Sequence, residues 1–174
     1  MTMPLEKLTS MIPNPIKHTF MVRALGLMKI PMLFFVSPSV VDLDDYRCVV
    51  KIPLTRRSKN HLGSMYFGAL AVGADCAGGL IAWRLLDQIN KKRSKNGSKR
   101  MNLVFKDFSA QFLKRPDGDV YFTSEDGQEV RQLIEKVAQT GERDQISVNV
   151  KATVPSSKTP DEPVATFVLT LSIK

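Results

Sequence analysis

The sequence has few of the residues that build disulfide frameworks or metal centres. Its 174 residues include two cysteines and two histidines, well separated along the chain: Cys48, Cys76, His18 and His61. A C-x-x-C pair is also absent, so we expect neither a zinc site nor a disulfide scaffold. A domain of this length buries enough of its own surface to fold without either.

Acidic residues are also scarce. Asp and Glu number 17 against 25 Lys and Arg, which gives a net charge of +8. Such a surface attracts anions: nucleic acid, acidic lipid or a phosphorylated ligand. Aromatic residues make up 7% of the chain and do not alternate with the cations, so nucleic acid is the least favoured of the three.

No stretch near the start resembles a secretory signal, and we expect a cytoplasmic protein with reduced thiols. One apolar stretch, residues 62–83, needs to be weighed as a membrane span. Its only charge is Asp75, and it is rich in Gly and Ala. A spanning helix would place that carboxylate in hydrocarbon at a cost of about 3 kcal/mol, so the stretch is better interpreted as a buried helix.

The chain divides into an N-terminal helical extension, residues 1–34, and a main domain, residues 35–174. Prolines punctuate the extension, and its apolar residues follow helical spacing: Ile16, Phe20, Ala24, Leu25, Leu27 and Met28. The simpler prediction is a helix packed on the main domain. The alternative is an interfacial helix that contacts a membrane, with Lys17, Arg23 and Lys29 on its other faces.

The residue pattern of the main domain predicts strands interrupted by two helices. Strand patterns occupy 40–43, 46–52, 108–112, 120–123, 146–154 and 167–173, and helical patterns occupy 64–89 and 130–138. The turn at 115–119 would join two paired strands, as would the loop at 155–163.

Strands in which apolar and polar residues alternate bury one face, and the helix at 64–89 is apolar on nearly all sides. The simplest solution is an α+β fold in which a curved antiparallel sheet of about six strands wraps around a long central helix. Glycines at 68, 73, 78 and 79 would let the sheet approach that helix closely. This is the hotdog arrangement.

Asp75 is the first candidate for chemistry, because it is a lone carboxylate in a helix that should be buried. Burial without a cation should raise its pKa, and such carboxylates cluster at functional sites. Hydroxyls, backbone groups or a partner chain could equally satisfy it. The second candidate is the start of the same helix, where free N–H groups after a Gly-containing turn suit a developing oxyanion.

Asn60, Gly63, Gly68 and Asp75 have the spacing N-x2-G-x4-G-x6-D, followed by Ala77. This pattern resembles the hotdog acyl-CoA thioesterases of the phenylacetyl-CoA type, within the 4-hydroxybenzoyl-CoA thioesterase superfamily. The segments 60–70 and 164–172 look closer still to a bacterial hotdog family filed as a domain of unknown function. The resemblance covers residues 35–174.

The resemblance implies hydrolysis of an acyl-CoA thioester. Asp75 would act as general base or nucleophile, the Gly68 N–H would polarise the thioester carbonyl, and Asn60 would orient water or the carbonyl. In hotdog proteins the site lies between two protomers, so a homodimer is implied and a tetramer stays open. No cofactor is implied beyond the coenzyme A of the substrate.

The sequence departs from the family pattern at the helix start, where Tyr66-Phe67-Gly68 replaces the usual His-Gly-Gly. Tyr66 could donate in place of the missing His or be a core aromatic residue, and Phe67 adds bulk beside the substrate. The departure favours an alternative function, a non-catalytic protein that binds acyl chains or acyl-CoA.

A basic run follows the central helix at 91–100. We expect Lys91, Lys92 and Arg93 to bind the phosphates of coenzyme A, unless the run is only a solvated loop. His61 is better interpreted as a surface residue than as a catalytic one.

Overall fold

The computed structural model describes residues 13–95, 97 and 99–174, and this part of the chain contains six strands and four helices. The helices are α1 (Asn14–Met28), α2 (Pro31–Phe35), α3 (Phe67–Lys95) and α4 (Gly127–Thr140). The strands are β1 (Ser39–Leu43), β2 (Cys48–Ile52), β3 (Leu103–Phe112), β4 (Val120–Ser124), β5 (Asp144–Thr153) and β6 (Pro163–Ile173).

The strands form one antiparallel sheet in the order β1-β2-β4-β5-β6-β3. Its concave face covers α3, which confirms the predicted hotdog fold. The alternating residues of β6 are buried as expected, and they line the core: Phe167, Leu169, Leu171 and Ile173. The loop at 155–163 joins paired strands, β5 and β6.

The prediction that the turn at 115–119 joins paired strands is wrong. β3 pairs with β6 at one edge of the sheet, whereas β4 pairs with β2 and β5 further along the strand order. A turn signal marks where the chain reverses but does not select the strand partner. The connection therefore crosses one end of the fold, and β3 becomes an edge strand.

Helix α3 is held close to the sheet through its glycines. The ring of Phe122 occupies the space that a Cβ at Gly73 would need, and Gly78 faces Val148 and Val150. The helix is long and apolar enough to cross a membrane, but 67% of its most apolar window is buried inside this fold. It continues six residues beyond the predicted end at 89, so the first residues of the basic run are helical.

Helices α1 and α2 form a hairpin that packs on β1 and on α3. The Thr19 hydroxyl accepts a 2.8 Å hydrogen bond from the Val40 N–H, and Val22 is buried against the core. The close packing of the two helices requires a glycine at 26, where any Cβ would lie 2.6 Å from the backbone nitrogen of Phe34.

A cluster of polar side chains ties the loop between β1 and β2 to α3 and α4. The Asp45 carboxylate accepts hydrogen bonds from Arg84 and Gln88 of α3, at 3.0 and 3.2 Å, and from Arg131 of α4, at 2.6 Å. Burial alone would raise the pKa of Asp45, but these bonds outweigh it and the pKa is lowered.

Candidate active site

Asp75 lies on the third turn of α3 and opens into an apolar cavity of about 210 Å³. The cavity lies between the α1–α2 hairpin, α3 and β3. Its walls include Met21, Leu25, Ile30, Leu33, Trp83 and Phe105. Within the described ranges no group donates a hydrogen bond to the carboxylate, and burial raises the pKa of Asp75. A half-buried, unpaired carboxylate in an apolar cavity is a strong proton acceptor whenever it is ionised.

The start of α3 presents a free backbone donor at Gly68. The N–H groups of Ala69 and Leu70 both point to the Tyr66 carbonyl, at 2.9 and 3.1 Å. In the described part of the chain, nothing accepts a hydrogen bond from the Gly68 N–H, which lies at the positive end of the helix dipole. The Tyr66 ring covers this glycine so closely that a Cβ would lie 2.6 Å from it.

Asn60 shapes the turn that leads into α3. Its side-chain oxygen accepts hydrogen bonds from the N–H groups of Leu62 and Ser64, at 2.9 and 3.2 Å, and its amide donates to the Ser64 hydroxyl at 3.1 Å. Gly63 completes the turn with a φ of +80°. The geometry therefore gives Asn60 a positioning task, and its predicted contact with water or the thioester carbonyl stays a prediction.

Tyr66 and Phe67 are surface residues at the helix start. Their ring centroids are 4.6 Å apart, and the Phe67 ring lies 6.4 Å from that of Phe112 at the end of β3. Both side chains are about half exposed, so Tyr66 is not a core aromatic residue. Together these three rings form an apolar rim beside the Gly68 N–H.

The first residues of the basic run, Lys91, Lys92 and Arg93, have different contacts. Lys91 pairs with Asp87 one turn earlier at 2.6 Å, and Lys92 is exposed. Arg93 turns the other way and donates a 2.7 Å hydrogen bond to the Ala138 carbonyl at the end of α4. These residues begin eight residues after Trp83, the last residue of α3 that lines the Asp75 cavity. A role for them in binding coenzyme A stays a prediction.

The two cysteines are buried and unpaired, and burial raises the pKa of Cys48 to about 12. A thiol with that pKa is not a nucleophile at neutral pH. The described residues hold no group of three His, Cys, Asp or Glu that could bind a metal ion.

Sequence reasoning missed the walls of the Asp75 cavity. The helical spacing of Leu25 indicated a packed side chain, but nothing in the sequence showed that the hairpin folds over Asp75. Ile30 and Leu33 follow α1 without a periodic pattern of their own, so only the three-dimensional structure identifies them as cavity residues.

Comparison with known families gives one match. The model of a domain of unknown function (DUF4442) matches residues 19–171. The match begins within α1, upstream of residue 35, where the sequence resemblance began. No curated protein matches the chain.

Solved structures share the fold over nearly the whole chain. A Pseudomonas aeruginosa protein of unknown function, PA5026, described as a probable thioesterase, is 22% identical with a TM-score of 0.71 over 94% of this chain and 97% of its own. A Chlorobaculum tepidum protein of unknown function, OLEI01261, is 15% identical with a TM-score of 0.67 over 91% and 95%. The Haemophilus influenzae thioesterase HI1161 is 13% identical with a TM-score of 0.56 over 100% and 92%.

Proposed function

The chain belongs to the DUF4442 family, and for this member we propose the hydrolysis of acyl-CoA thioesters, with Asp75 as the catalytic carboxylate. The observation that carries the proposal is the position of Asp75, unpaired and half-buried in an apolar cavity beside the central helix. The thioesterases among the proteins that share the fold support the same reaction class.

The reaction needs a base or nucleophile and a donor for the oxyanion. As a base, Asp75 takes a proton from water while the water oxygen bonds to the carbonyl carbon. The C–S bond then breaks, and the coenzyme A thiolate leaves and takes up the proton. As a nucleophile, Asp75 would attack the carbonyl carbon and break the C–S bond, which forms a mixed anhydride and expels the coenzyme A thiolate. Water would then cleave the anhydride to the free acid and Asp75, and a proton of that water would go to the thiolate. In both routes the Gly68 N–H stabilises the tetrahedral oxyanion.

The cavity suits the acyl part of such a substrate. Its walls are apolar apart from Asp75, and no cation lines it among the described residues, so the cavity suits a neutral acyl chain better than a charged group. The product is a carboxylate, which would stand beside the ionised Asp75. Two adjacent carboxylates repel each other, so hydrolysis itself would promote release of the acid.

The test is Asp75→Asn, which keeps the size of the side chain and removes the base. We expect turnover of the best acyl-CoA in a panel to fall at least ~100-fold. Asp87→Asn is the matched control, because it makes the same change on the same helix at a partly buried carboxylate that pairs with Lys91 outside the Asp75 cavity. It should alter turnover less than about twofold. Equal turnover of Asp75→Asn and wild type would remove Asp75 from the mechanism.

The second candidate is binding without catalysis, favoured by the half-exposed Phe67 ring next to the Gly68 N–H. In that case wild-type protein would bind acyl-CoA thioesters and non-hydrolysable thioether analogues with equal affinity. It would release no free thiol from any member of the panel.

A further inference from the structure

A second cavity, at the far end of α3, is lined by cations. Its volume is about 400 Å³, within the range of small-molecule sites. Five basic residues and one hydroxyl contribute to its walls: Arg93, Lys99, Arg100, Arg143, Lys174 and Ser172. No Asp or Glu from the described part of the chain lines it.

Only a small part of this positive charge is balanced locally. Arg100 approaches Asp87 at 3.8 Å, which is a weak contact, and one nitrogen of Arg93 donates to the Ala138 carbonyl. Within the described ranges Lys99 and Arg143 have no acidic partner. Converging like charges repel one another, and an anion placed between them would remove that repulsion.

Two buried polar atoms in the same cavity also lack partners. The Ser172 side chain is 1% exposed, and its hydroxyl has no hydrogen-bond partner among the described residues. The Nε atom of Arg93 is buried and unpartnered in the same way. Buried donors are nearly always satisfied, so two unpartnered donors on residues that line one basic cavity are compatible with an acceptor-rich ligand there. The Ser124 hydroxyl, which is away from this cavity, is unpartnered in the same way.

The position of the cavity separates it from the thioester site of the same protomer. Arg93 follows Asp75 by eighteen residues of α3, which is about 27 Å of helix rise. The pantetheine arm of coenzyme A has about fourteen bonds, the length of four to five extended residues or roughly 16 Å. A substrate at Asp75 therefore does not reach the cavity of the same protomer with its pyrophosphate.

We propose that this basic cavity binds a small molecule through a diphosphate group. Phosphate oxygens are the acceptors that match Arg and Lys donors, and a diphosphate has enough oxygens to engage several cations at once. No aromatic side chain lines the cavity in the described structure, so the diphosphate is recognised rather than a base stacked on a ring. The proposal does not depend on thioesterase activity.

The experiment is calorimetric titration of the full chain with pyrophosphate, ADP and inorganic phosphate at low salt. We expect pyrophosphate and ADP to bind with dissociation constants within about threefold of each other, and phosphate to bind at least ~10-fold more weakly. Binding should weaken steeply as salt is raised, because most of these cations are exposed.

Two double variants distinguish the cavity from the general positive charge. Lys99→Gln with Arg143→Gln should weaken pyrophosphate binding at least ~10-fold. Lys29→Gln with Lys158→Gln removes the same charge from exposed positions elsewhere and should change it less than twofold. Ser172→Ala, with its unfolding temperature checked, should weaken binding severalfold.

Three results would overturn the proposal. These are no saturable binding of pyrophosphate or ADP, equal weakening by the two double variants, and ADP affinity that far exceeds that of pyrophosphate. Each result can be measured whether or not the protein hydrolyses acyl-CoA.

Discussion

Gly68 and Asp75 lie on the same face of α3, seven residues apart. Seven residues turn the helix through nearly two full turns and raise it by about 10 Å. An oxyanion donor and a nucleophile that act on one thioester must each come within about 3 Å of its carbonyl group. Within one protomer Asp75 is too far from Gly68 for direct attack, so for that route we expect Asp75 of one protomer to act with Gly68 of another.

We therefore expect a homodimer in solution, and the edge strand β3 supplies the surface for it. Phe105, Phe108 and Phe112 pair with inward-facing residues of β6 yet are 39%, 42% and 53% exposed. Light scattering at micromolar concentration should give twice the 19.5 kDa of the chain.

Phe108→Lys should shift that mass towards the monomer, since a cation would be buried at the interface. Val168→Lys is the matched control, because Val168 is 39% exposed on the neighbouring strand β6 rather than at the edge. A wild-type monomer under these conditions would contradict both the dimer and the two-protomer site.

Asp75→Asn should stabilise the protein at neutral pH while it lowers activity. The folded-state pKa of Asp75 lies above its unfolded value of 3.8, so folding favours the protonated form and the ionised form costs stability at higher pH. The unfolding temperature of the variant should exceed that of wild type by a few degrees at pH 7. The difference should disappear below pH 3.8, where both states are protonated. A variant that is less stable at pH 7 would point to a structural carboxylate.

The same raised pKa predicts the pH dependence of hydrolysis. The base must be ionised, so kcat/KM should fall as the pH drops through the folded-state pKa of Asp75, which burial raises from its ordinary value. A flat profile down to pH 4 would argue against Asp75 as the base.

The cavity beside Asp75 should select acyl chains by length. An apolar cavity of about 150 Å³ holds one benzene ring of six carbons, so about 210 Å³ corresponds to roughly eight chain carbons. Leu25→Phe should move the preferred chain one to three carbons shorter and Leu25→Ala one to three carbons longer, measured as kcat/KM across saturated acyl-CoAs.

Leu27 offers the matched control for these changes. It lies two residues along α1 and is 64% exposed, outside the cavity. Leu27→Phe and Leu27→Ala should leave the chain-length profile unchanged. If the Leu25 and Leu27 variants behave alike, the α1–α2 hairpin does not form the acyl site.

Asp45→Ala should destabilise the fold by about 1–2 kcal/mol, because it leaves Arg84 and Arg131 without their shared carboxylate partner. The pKa of Asp45 is lowered in the folded state, so its contribution is present above the unfolded value of 3.8 and is lost as the pH falls through the folded value. Urea unfolding of variant and wild type should therefore converge in acid. Glu125→Ala, at the exposed pair with Arg47, should have little effect at any pH.

The sequence predicts most of the fold because each strand and helix carries its own period. The alternation of β6 and the amphipathic spacing of α4 depend on neighbours within one element, and both are confirmed. The pairing of β3 with β6 cannot be predicted in this way, because it depends on which edge of the sheet the chain reaches after it leaves α3.

The site is only half predictable for a similar reason. Asp75 and Gly68 stand out because a carboxylate and a glycine are unusual in their places within one helix. The walls around Asp75 come from α1, α2 and β3, and apolar residues such as Leu25 and Leu33 look like any other core residues. The cations of the second cavity are likewise gathered from four separate segments of the chain.

The contact between Gly73 and the ring of Phe122 fixes the position of α3 along its own axis. Only a residue without a side chain leaves room for that ring, and the residues on either side, Val72 and Ala74, both carry a Cβ. A slip of α3 by a single residue, about 1.5 Å, would bring a side chain under the ring. Because Asp75 comes two residues later, the contact that seats the helix on the sheet also fixes the depth of the carboxylate in its cavity. Larger residues at 73 should therefore displace Asp75 relative to the walls of its cavity.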